Sequence, residues 1–503
     1  MKLLKSNQIK EVDAYTIDNE PVLSINLMER AARQCSKWIA EHIPRQRKIN
    51  VFVGPGNNGG DGLAIARQLA DEDFHVKVFL VEISSKLSED AEINLGRLKS
   101  QGKAGIFSID KESPLPEIPE NEIIVDGLFG SGLNRPLEGF PSEVVKHLNK
   151  YNVTRIAIDT PSGLFGEDNS QNNYESIFKA DYTLTFQFPS LSFFYPENED
   201  YVGKWYVMDI GLSQEKINEI TSPYYLITEE FIKNHLKKRK RFAHKGHFGH
   251  VLMINGGYGK MGAAILAAKA ALKTGSGLVT AHLPKTGYSI MQTAVPEVMI
   301  SIDISDIIFS DVPDLQNFSN VGGGCGLGTK QNTQNALKTL IEKETRPLVL
   351  DADALNILSE NKEWLNNLPE NSILTPHPKE FERLTEPAED HYSRLELQRE
   401  FARKYKVILV LKGGNTSIAL PDGRCYFNIT GGPAMASAGS GDVLTGMITS
   451  LVGQKYDPYM AAIMGVYLHG LAGNIASEEW EQEAVIASDI INSIGKAFKQ
   501  LKS

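Results

Sequence analysis

Ile49-Asn-Val-Phe-Val-Gly-Pro-Gly-Asn-Asn-Gly-Gly-Asp-Gly62 decides the fold of this chain. The apolar run at its start reads as a buried strand, a glycine-rich turn follows, and Leu63 to Leu69 continues with helical spacing. Strand, turn and helix in that order open a parallel α/β sheet. Upstream, residues 1–48 read as helical, with Asn26-Leu-Met-Glu-Arg-Ala-Ala32 running on to Trp38 and Ile39. Downstream, 76–81, 123–126 and 155–159 read as strands, the last two ending in Asp126 and Asp159; stretches 182–186 and 205–210 complete the sheet. Ligands of open α/β sheets bind beyond the carboxyl ends of the strands, so Asn57, Asn58, Asp61, Asp126 and Asp159 fall into one candidate site, with Ser162 three residues beyond Asp159.

The second half repeats this grammar. His250-Val-Leu-Met-Ile254 reads as a strand, followed by Asn255-Gly-Gly-Tyr-Gly-Lys-Met-Gly262 and a small-residue helix over 263–272. That helix either faces a partner subunit or packs inside. Further strands are expected at 277–282, at 347–353 with Asp351 and Asp353 at its end, within Ile373-Leu-Thr-Pro-His-Pro378 as a strand running into a rigid loop, and at 407–411 before Lys412-Gly-Gly-Asn-Thr416. Gly322-Gly-Gly-Cys-Gly-Leu-Gly328 is a second glycine loop. Last comes Gly431-Gly-Pro-Ala-Met-Ala-Ser-Ala-Gly-Ser-Gly-Asp-Val-Leu-Thr-Gly446, small residues running into a helix start. Unpaired N–H groups and a positive dipole end make such a start an anion hole, and Asp442 stands where a general base would flank a transferring phosphoryl group. The change of character near 213–225 divides the chain into 1–220 and 221–503. Lys237-Lys-Arg-Lys-Arg241 is either a solvated linker face or a steering surface for a phosphate-rich ligand.

The totals set limits. The chain has 503 residues, 42% hydrophobic and 23% charged, which suits a globular protein of two to four domains. A net charge of −10 argues against a nucleic-acid partner. Three scattered cysteines, Cys35, Cys325 and Cys425, argue against a disulfide framework or a cysteine zinc site and fit a reducing cytoplasm. No apolar run approaches the ~18 residues of a membrane helix, so no membrane partner is expected. There is no Walker A motif, and the first glycine loop lacks the pattern of redox NAD binding.

Chemistry narrows the sites. Carboxylate, amide and hydroxyl oxygens in the first half suit a hard, monovalent cation, and an acid at a strand end can move a substrate proton. In the second half, Lys412 and its glycines can meet a phosphate, Thr416 adds a hydroxyl, and the amides of Gly439–Gly441 can neutralise a phosphoryl group in flight. His377, stiffened by two prolines, either bonds a substrate or is structural; Lys245 and His247 share that ambiguity. Asp351 and Asp353 either hold Mg²⁺ through water or cap the next helix.

Gly439-Ser-Gly-Asp442 resembles the anion-hole motif of ribokinase-like enzymes. With His244-Lys-Gly-His-Phe-Gly249, Asp351-Ala-Asp-Ala-Leu-Asn356, Thr375-Pro-His-Pro378 and Lys412-Gly-Gly, the second half is similar to ADP/ATP-dependent NAD(P)H-hydrate dehydratases. With Gly54–Gly62, Asp126-Gly-Leu-Phe-Gly-Ser-Gly132 and Asp159-Thr-Pro-Ser-Gly163, the first half is similar to NAD(P)H-hydrate epimerases. The whole chain thus resembles the fused, bifunctional nicotinamide-nucleotide repair enzymes. The resemblance implies an N-terminal Rossmann-like three-layer α/β domain followed by a ribokinase-like α/β domain. It implies an isomerase that interconverts the R and S epimers of NADHX and NADPHX at C6, and a lyase that restores NAD(P)H from the S form after nucleotide-dependent phosphorylation. By the same resemblance, Asn57, Asn58, Gly59, Gly60, Asp61, Gly130, Ser131, Gly132, Leu133, Asn134, Arg135, Pro136 and Asp159 contact the hydrate in the epimerase, with Asp159 moving the proton and Asn58, Asp126 and Ser162 holding K⁺. Ala263, Gly326, His377 and Asp442 line the dehydratase pocket, with Asp442 as base. Lys412, Gly413, Gly414, Asn415, Thr416 and Gly441 meet ADP or ATP with Mg²⁺. Fused bacterial forms favour ADP, and a homo-oligomer is expected. Cys325 stands where the family usually has proline, Ala434 where it has glycine before Met435, and Lys379 where glycine is common. The competing readings are a ribokinase-like small-molecule (vitamin) kinase and a non-catalytic N-terminal binding module.

Overall fold

Apolar runs bounded by glycine turns become the central strands of two parallel sheets. The computed structural model describes residues 1–20 and 22–502; Pro21, inside the stretch read as helical, lies outside them, as does Ser503. The chain forms two units, Lys2–Ser222 with Asp390–Tyr392, and Met1, Pro223–Glu389 and Ser393–Ser503.

In the first unit, Ile49–Val53 is the third strand of a parallel sheet of seven strands among the described residues. Val76–Val81 and then Gly105–Ile109 extend it on one side; Ile123–Gly127, Thr154–Ile158, Tyr182–Phe186 and Lys204–Met208 extend it on the other. Gly105–Ile109 is a strand that the sequence pattern hides, because it lies at the sheet edge with mostly exposed or half-exposed residues and no apolar run. The direction of strand addition reverses between Ile49–Val53 and Ile123–Gly127, and such a reversal leaves a crevice at the carboxyl ends. The N-terminal segment is two helices, Ser6–Asn19 and Ser24–His42.

The second unit uses the same plan. His250–Ile254 is followed outward by Leu278–Leu283 and Met299–Ile302 on one side, and by Asn320–Gly323, Leu348–Leu350, Ile373–Leu374 and Ile408–Leu411 on the other, all parallel. Thr416–Ala419 and Cys425–Asn428 continue antiparallel, and Tyr224–Leu226 pairs parallel to the last. The reversal here lies between His250–Ile254 and Asn320–Gly323. The first two glycines of the expected loop at 322–328 are strand residues, which leaves Gly324–Gly328 as the loop. The strand expected at 347–353 ends at Leu350, and Asp353 opens the helix Asp353–Glu360.

Long helices complete this unit. Pro458–Glu479 has 22 residues and is apolar enough to cross a membrane, contrary to the expectation of no such segment; 83% of its apolar stretch is buried inside the unit. It fills the core with Met460, Ile463, Met464, Leu468 and Leu471. The small-residue helix Met261–Thr274 packs inward on Ser440–Gly453. The basic run at 237–241 belongs to this unit rather than to a linker: Lys237 lies 4.2 Å from the Tyr456 ring centroid, Arg239 lies 3.9 Å from that of Phe248, and Arg239 donates to Gly275 O at 2.6 Å.

The two helices can approach only because Gly446 lacks a side chain: a Cβ there would stand 2.1 Å from Ala267 O. Gly446→Ala should therefore force the helices apart and cost ~1–3 kcal/mol or more. A lowered urea midpoint with an unchanged slope is the expected readout, and an unchanged midpoint would refute this packing.

Candidate active sites

Each reversal point gathers the polar residues of its unit. In the first, strand Ile123–Gly127 ends on Asp126, which is buried. Its Oδ1 accepts from Ser162 Oγ at 2.7 Å and Leu128 N at 3.1 Å, and its Oδ2 from Ser162 N at 2.8 Å. Burial raises its carboxyl to about 6 against these donors. Ser162 Oγ also accepts from Phe129 N at 2.8 Å and lies 3.1 Å from Phe129 O. Asn58, in the first turn of Asn57–Asp71, has both amide atoms buried without a hydrogen-bond partner among the described residues. Strand Thr154–Ile158 delivers Asp159, whose backbone adopts φ +64°, a region unfavourable for a residue with a side chain. Asp159 Oδ2 accepts from Ser131 N at 2.9 Å, and burial raises its carboxyl. Gly130 is where these groups converge, since a Cβ there would lie 2.9 Å from Asp159 Oδ2 and 3.2 Å from Asn58 Oδ1.

The structure thus brings together Asn58, Asp126, Gly130, Ser131, Asp159 and Ser162. Asn57, Gly132, Asn134 and Arg135 are exposed, Leu133 and Pro136 half-exposed, and Gly59 and Gly60 buried. Asp61 is only 8% exposed, and burial, reinforced by the charges of Asp159, Asp13 and Asp90, pushes its carboxyl well above the ordinary range. Asp13, on the first helix, belongs to this neighbourhood and was missed; its carboxyl is raised to about 6 by burial and then by Asp159. No motif marks it.

In the second unit, Asp351 is the hub. Lys412 Nζ donates to its Oδ1 at 2.8 Å, Ala352 N to Oδ1 at 2.8 Å, and Thr445 Oγ1 to Oδ2 at 2.8 Å. The Lys412 ammonium is therefore committed to Asp351 instead of projecting at a phosphate, and Asp351 holds it charged against its burial. Asp353 accepts from Lys260 Nζ at 3.2 Å and Gly328 N at 2.8 Å. Both acids are thus engaged by protein donors, and the described residues contain no cluster of three acidic, histidine or cysteine side chains.

Helix Ser440–Gly453 starts at Gly439, φ +89°, and presents its first amides beside this hub; a Cβ on Gly441 would lie 3.5 Å from both Lys412 Nζ and Asp351 Oδ2. Asp442, in its first turn, is half-buried, and burial raises its carboxyl, while a hydrogen bond from the Cys325 thiol works the other way. Cys325 is itself fully buried and kept protonated, first by burial and then by Asp351 and Asp442. Its N–H donates to Asn255 Oδ1 at 2.9 Å, and Asn255 Nδ2 is buried without a partner. Asn255 and Thr445 were missed by sequence reasoning; Asn255 carries the same strand-end signal as Asp126. His469, shared with Ser440 Oγ at 3.3 Å, is held at about 4 by burial, so it is neutral.

His377 caps helix Pro378–Leu384: its Nδ1 accepts from Lys379 N at 3.1 Å and Glu380 N at 3.3 Å, leaving Nε2 as its donor on a half-exposed edge. Gly326 and Ala263 adjoin, a Cβ on the glycine standing 3.4 Å from that of the alanine. Gly413 and Gly414 are exposed, and Thr416 Oγ1 turns back to Gly413 O at 3.3 Å. Lys245 and His247 lie on an exposed turn.

Comparison with known proteins matches both halves. Residues 24–192 match the family model of the YjeF-related protein N-terminus, and residues 251–496 that of NAD(P)H-hydrate dehydratase. A bifunctional NAD(P)H-hydrate repair enzyme, Nnr, from Moorella thermoacetica is 34% identical, covering 100% of this chain and 97% of its own. This chain belongs to the bifunctional NAD(P)H-hydrate repair enzyme family. The repair enzyme of Escherichia coli is 30% identical over 93% of this chain and 88% of that one. A ribokinase-like superfamily protein from Enterococcus faecalis, 23% identical, superposes with a TM-score of 0.50 over 56% of this chain and 98% of its own, which shows the fold of the second unit.

On the reading of Asp442 as a general base, Asp442→Asn should lower the nucleotide-dependent turnover at least ~10²-fold. Because burial lifts the Asp442 carboxyl, activity should fall as pH drops through a value above the ordinary carboxylate range. Cys325→Ala removes a donor to the charged form and should shift that fall to higher pH, whereas Cys325→Ser should restore it. A pH profile of kcat unmoved by Cys325→Ala would show that the thiol does not act on Asp442.

Proposed function

We propose that residues 1–220 epimerise the hydrates NADHX and NADPHX at C6, and that residues 221–503 dehydrate the S epimer with ADP, or alternatively ATP, as phosphoryl donor. The observation that carries this reading is the pair of reversal-point sites, one built on Asp159 and the other on a helix start beside Asp442.

In the first site, Asp159 moves the proton at C6, and the backbone of Gly130 to Pro136 with Asn57–Asp61 shapes the pocket. Asn58 Oδ1, Asp126 and Ser162 Oγ supply oxygen donors with a single carboxylate, and the unpartnered amide of Asn58 favours a ligand there; this set fits K⁺. Bound potassium would fix these side chains and offset the Asp126 charge.

In the second site, the nucleotide enters with Mg²⁺ on its phosphates, against the backbone of Lys412 to Thr416 and Gly441. Asp442 takes the proton of the C6 hydroxyl, and that oxygen attacks the terminal phosphoryl group. Charge on the group in flight is stabilised by the amides at the start of helix Ser440–Gly453. Hydroxide leaves poorly and phosphate leaves well, so the C6–O bond then breaks, a proton leaves C5, and the C5=C6 bond of NAD(P)H returns. Ala263, Gly326 and the Nε2 donor of His377 line the hydrate side. The Lys412–Asp351 pair keeps the floor of the site charge-balanced while Thr445 orients Asp351. Three free, buried cysteines and a net charge of −10 support a cytoplasmic enzyme of small molecules.

Mixed hydrate epimers with Mg²⁺, K⁺ and either nucleotide test the reading through the near-ultraviolet absorbance of NAD(P)H. Both epimers should convert, with ADP the better donor. Asp159→Asn should leave a fast S phase and slow the R phase to its spontaneous rate. Replacing K⁺ by tetramethylammonium should slow only the R phase. No NAD(P)H with either nucleotide, with a phosphorylated product released instead, would favour a small-molecule kinase.

A further inference from the structure

Asp159 has a neighbour outside every motif. Helix Ser6–Asn19 carries Ser6, Lys10 and Asp13 at spacings of four and three, on one face. Ser6 N and Oγ donate to Glu167 Oε1 at 2.8 and 3.1 Å, and a Cβ on Gly166 would lie 2.6 Å from Ser6 Oγ. Lys10 Nζ lies 3.6 Å from where a Cβ on Gly132 would stand. At the far end, Thr16 Oγ1 accepts from Ser213 N at 3.0 Å. The helix is thus laid against the loops that surround Asp159 and pinned at both ends. Asp13 sits between these pins, half-buried, and among the described residues its carboxyl makes no hydrogen bond or ion pair. It senses Asp159, and Asp61 senses both. Asp61 lies deeper, also without a hydrogen bond, and Cys35 lies close enough to feel Asp61 and Asp159. Asp90, the remaining acid near Asp61, is taken by Ser24 Oγ at 2.5 Å. Lys10 is the cation that the helix itself brings to the mouth. Two carboxyl groups facing one pocket do not both ionise cheaply, so one serves as acid while the other serves as base. Burial keeps Asp13 protonated into the range of about 6, which suits it to the acid role.

We propose that Asp13 is the second proton-transfer residue of the epimerisation, alternating with Asp159. The proposal rests on the epimerase reading above. In the hydrate, C6 bears a hydroxyl and is bonded to N1. The Asp159 carboxylate takes the hydroxyl proton, the C6=O bond forms, the C6–N1 bond breaks, and its electron pair on N1 takes the Asp13 proton. The ring is then open, with C6 an aldehyde. Rotation about C5–C6 presents the other face; N1 adds back to C6, its proton returns to Asp13, and Asp159 returns a proton to the oxygen. Nothing is consumed and both carboxyl groups end as they began. One ionised carboxylate alone supplies the base at oxygen but no acid at nitrogen.

The test uses the full chain and mixed epimers, with the S phase reporting that the chain is folded and turning over. Asp13→Asn and Asp13→Ala should slow the R phase at least ~10²-fold, toward the spontaneous rate. Formate should restore the Asp13→Ala rate in proportion to its concentration, and Asp13→Glu should keep part of the activity. An R phase in Asp13→Asn within about threefold of wild type overturns the assignment, because general acid catalysis contributes far more. A slow Asp13→Ala that formate does not rescue, beside an equally slow Asp13→Glu, also overturns it and marks Asp13 as structural. Should the wild-type chain itself leave the R epimer at its spontaneous rate, the epimerase reading falls and this assignment falls with it. A fast wild type beside a fast Asp13→Asn removes the Asp13 assignment alone.

Discussion

Peptide groups of neighbouring strand-end loops touch at the centre of each sheet, where no side chain fits between them. A Cβ on Gly54 would stand 2.1 Å from Leu128 O, and one on Gly323 would stand 2.0 Å from Ile254 O. Backbone packed on backbone has no rotamers to adjust, so each loop fixes its neighbour. In the first unit this contact sets Asn58 against Gly127 and Gly130; in the second it sets Asn255 against Cys325, and Cys325 against Asp442. Polar side chains at both reversal points therefore inherit their positions from the sheet itself.

The two sites differ in how charge is managed. Asp351 is neutralised in place by Lys412 and two further donors, and Asp442 beside it keeps a thiol donor. In the first unit, no such cation contacts these acids among the described residues: burial raises Asp13, Asp61 and Asp159, and the charge of Asp159 adds to it at Asp13 and Asp61. The first arrangement holds a base ready beside an anion hole. The second moves the carboxyl groups up toward the neutral range, which suits reversible proton traffic on one substrate.

Strong periodicity made the central strands and the two glycine loops legible in the sequence, since buried parallel strands are nearly continuous apolar runs. Edge elements were not: Gly105–Ile109 and Met299–Ile302 expose much of their length and carry no such signature. At the sites, Asp159, Asp442 and Asp126 were legible because each ends a strand or opens a helix after small residues. The pairing of Lys412 with Asp351 was not legible, because the partner lies 61 residues earlier and only the fold brings them together. Asp13 was invisible for the same reason, an ordinary acid in an amphipathic helix until that helix is docked.

Helix Pro458–Glu479 lies under strands Ile373–Leu374, Ile408–Leu411, Thr416–Ala419 and Cys425–Asn428, and it is apolar on every side. A ribosome makes it after all the strands that it covers. The growing second unit thus carries an uncovered sheet face until this helix has been made, and nascent apolar surface of this kind is what chaperones hold and what aggregates. The late helix makes completion of this unit nearly all-or-none with respect to chain length, whereas the sheet of the first unit already has its last strand by Met208. Order of synthesis, not only the final contacts, thereby separates the maturation of the two halves in time.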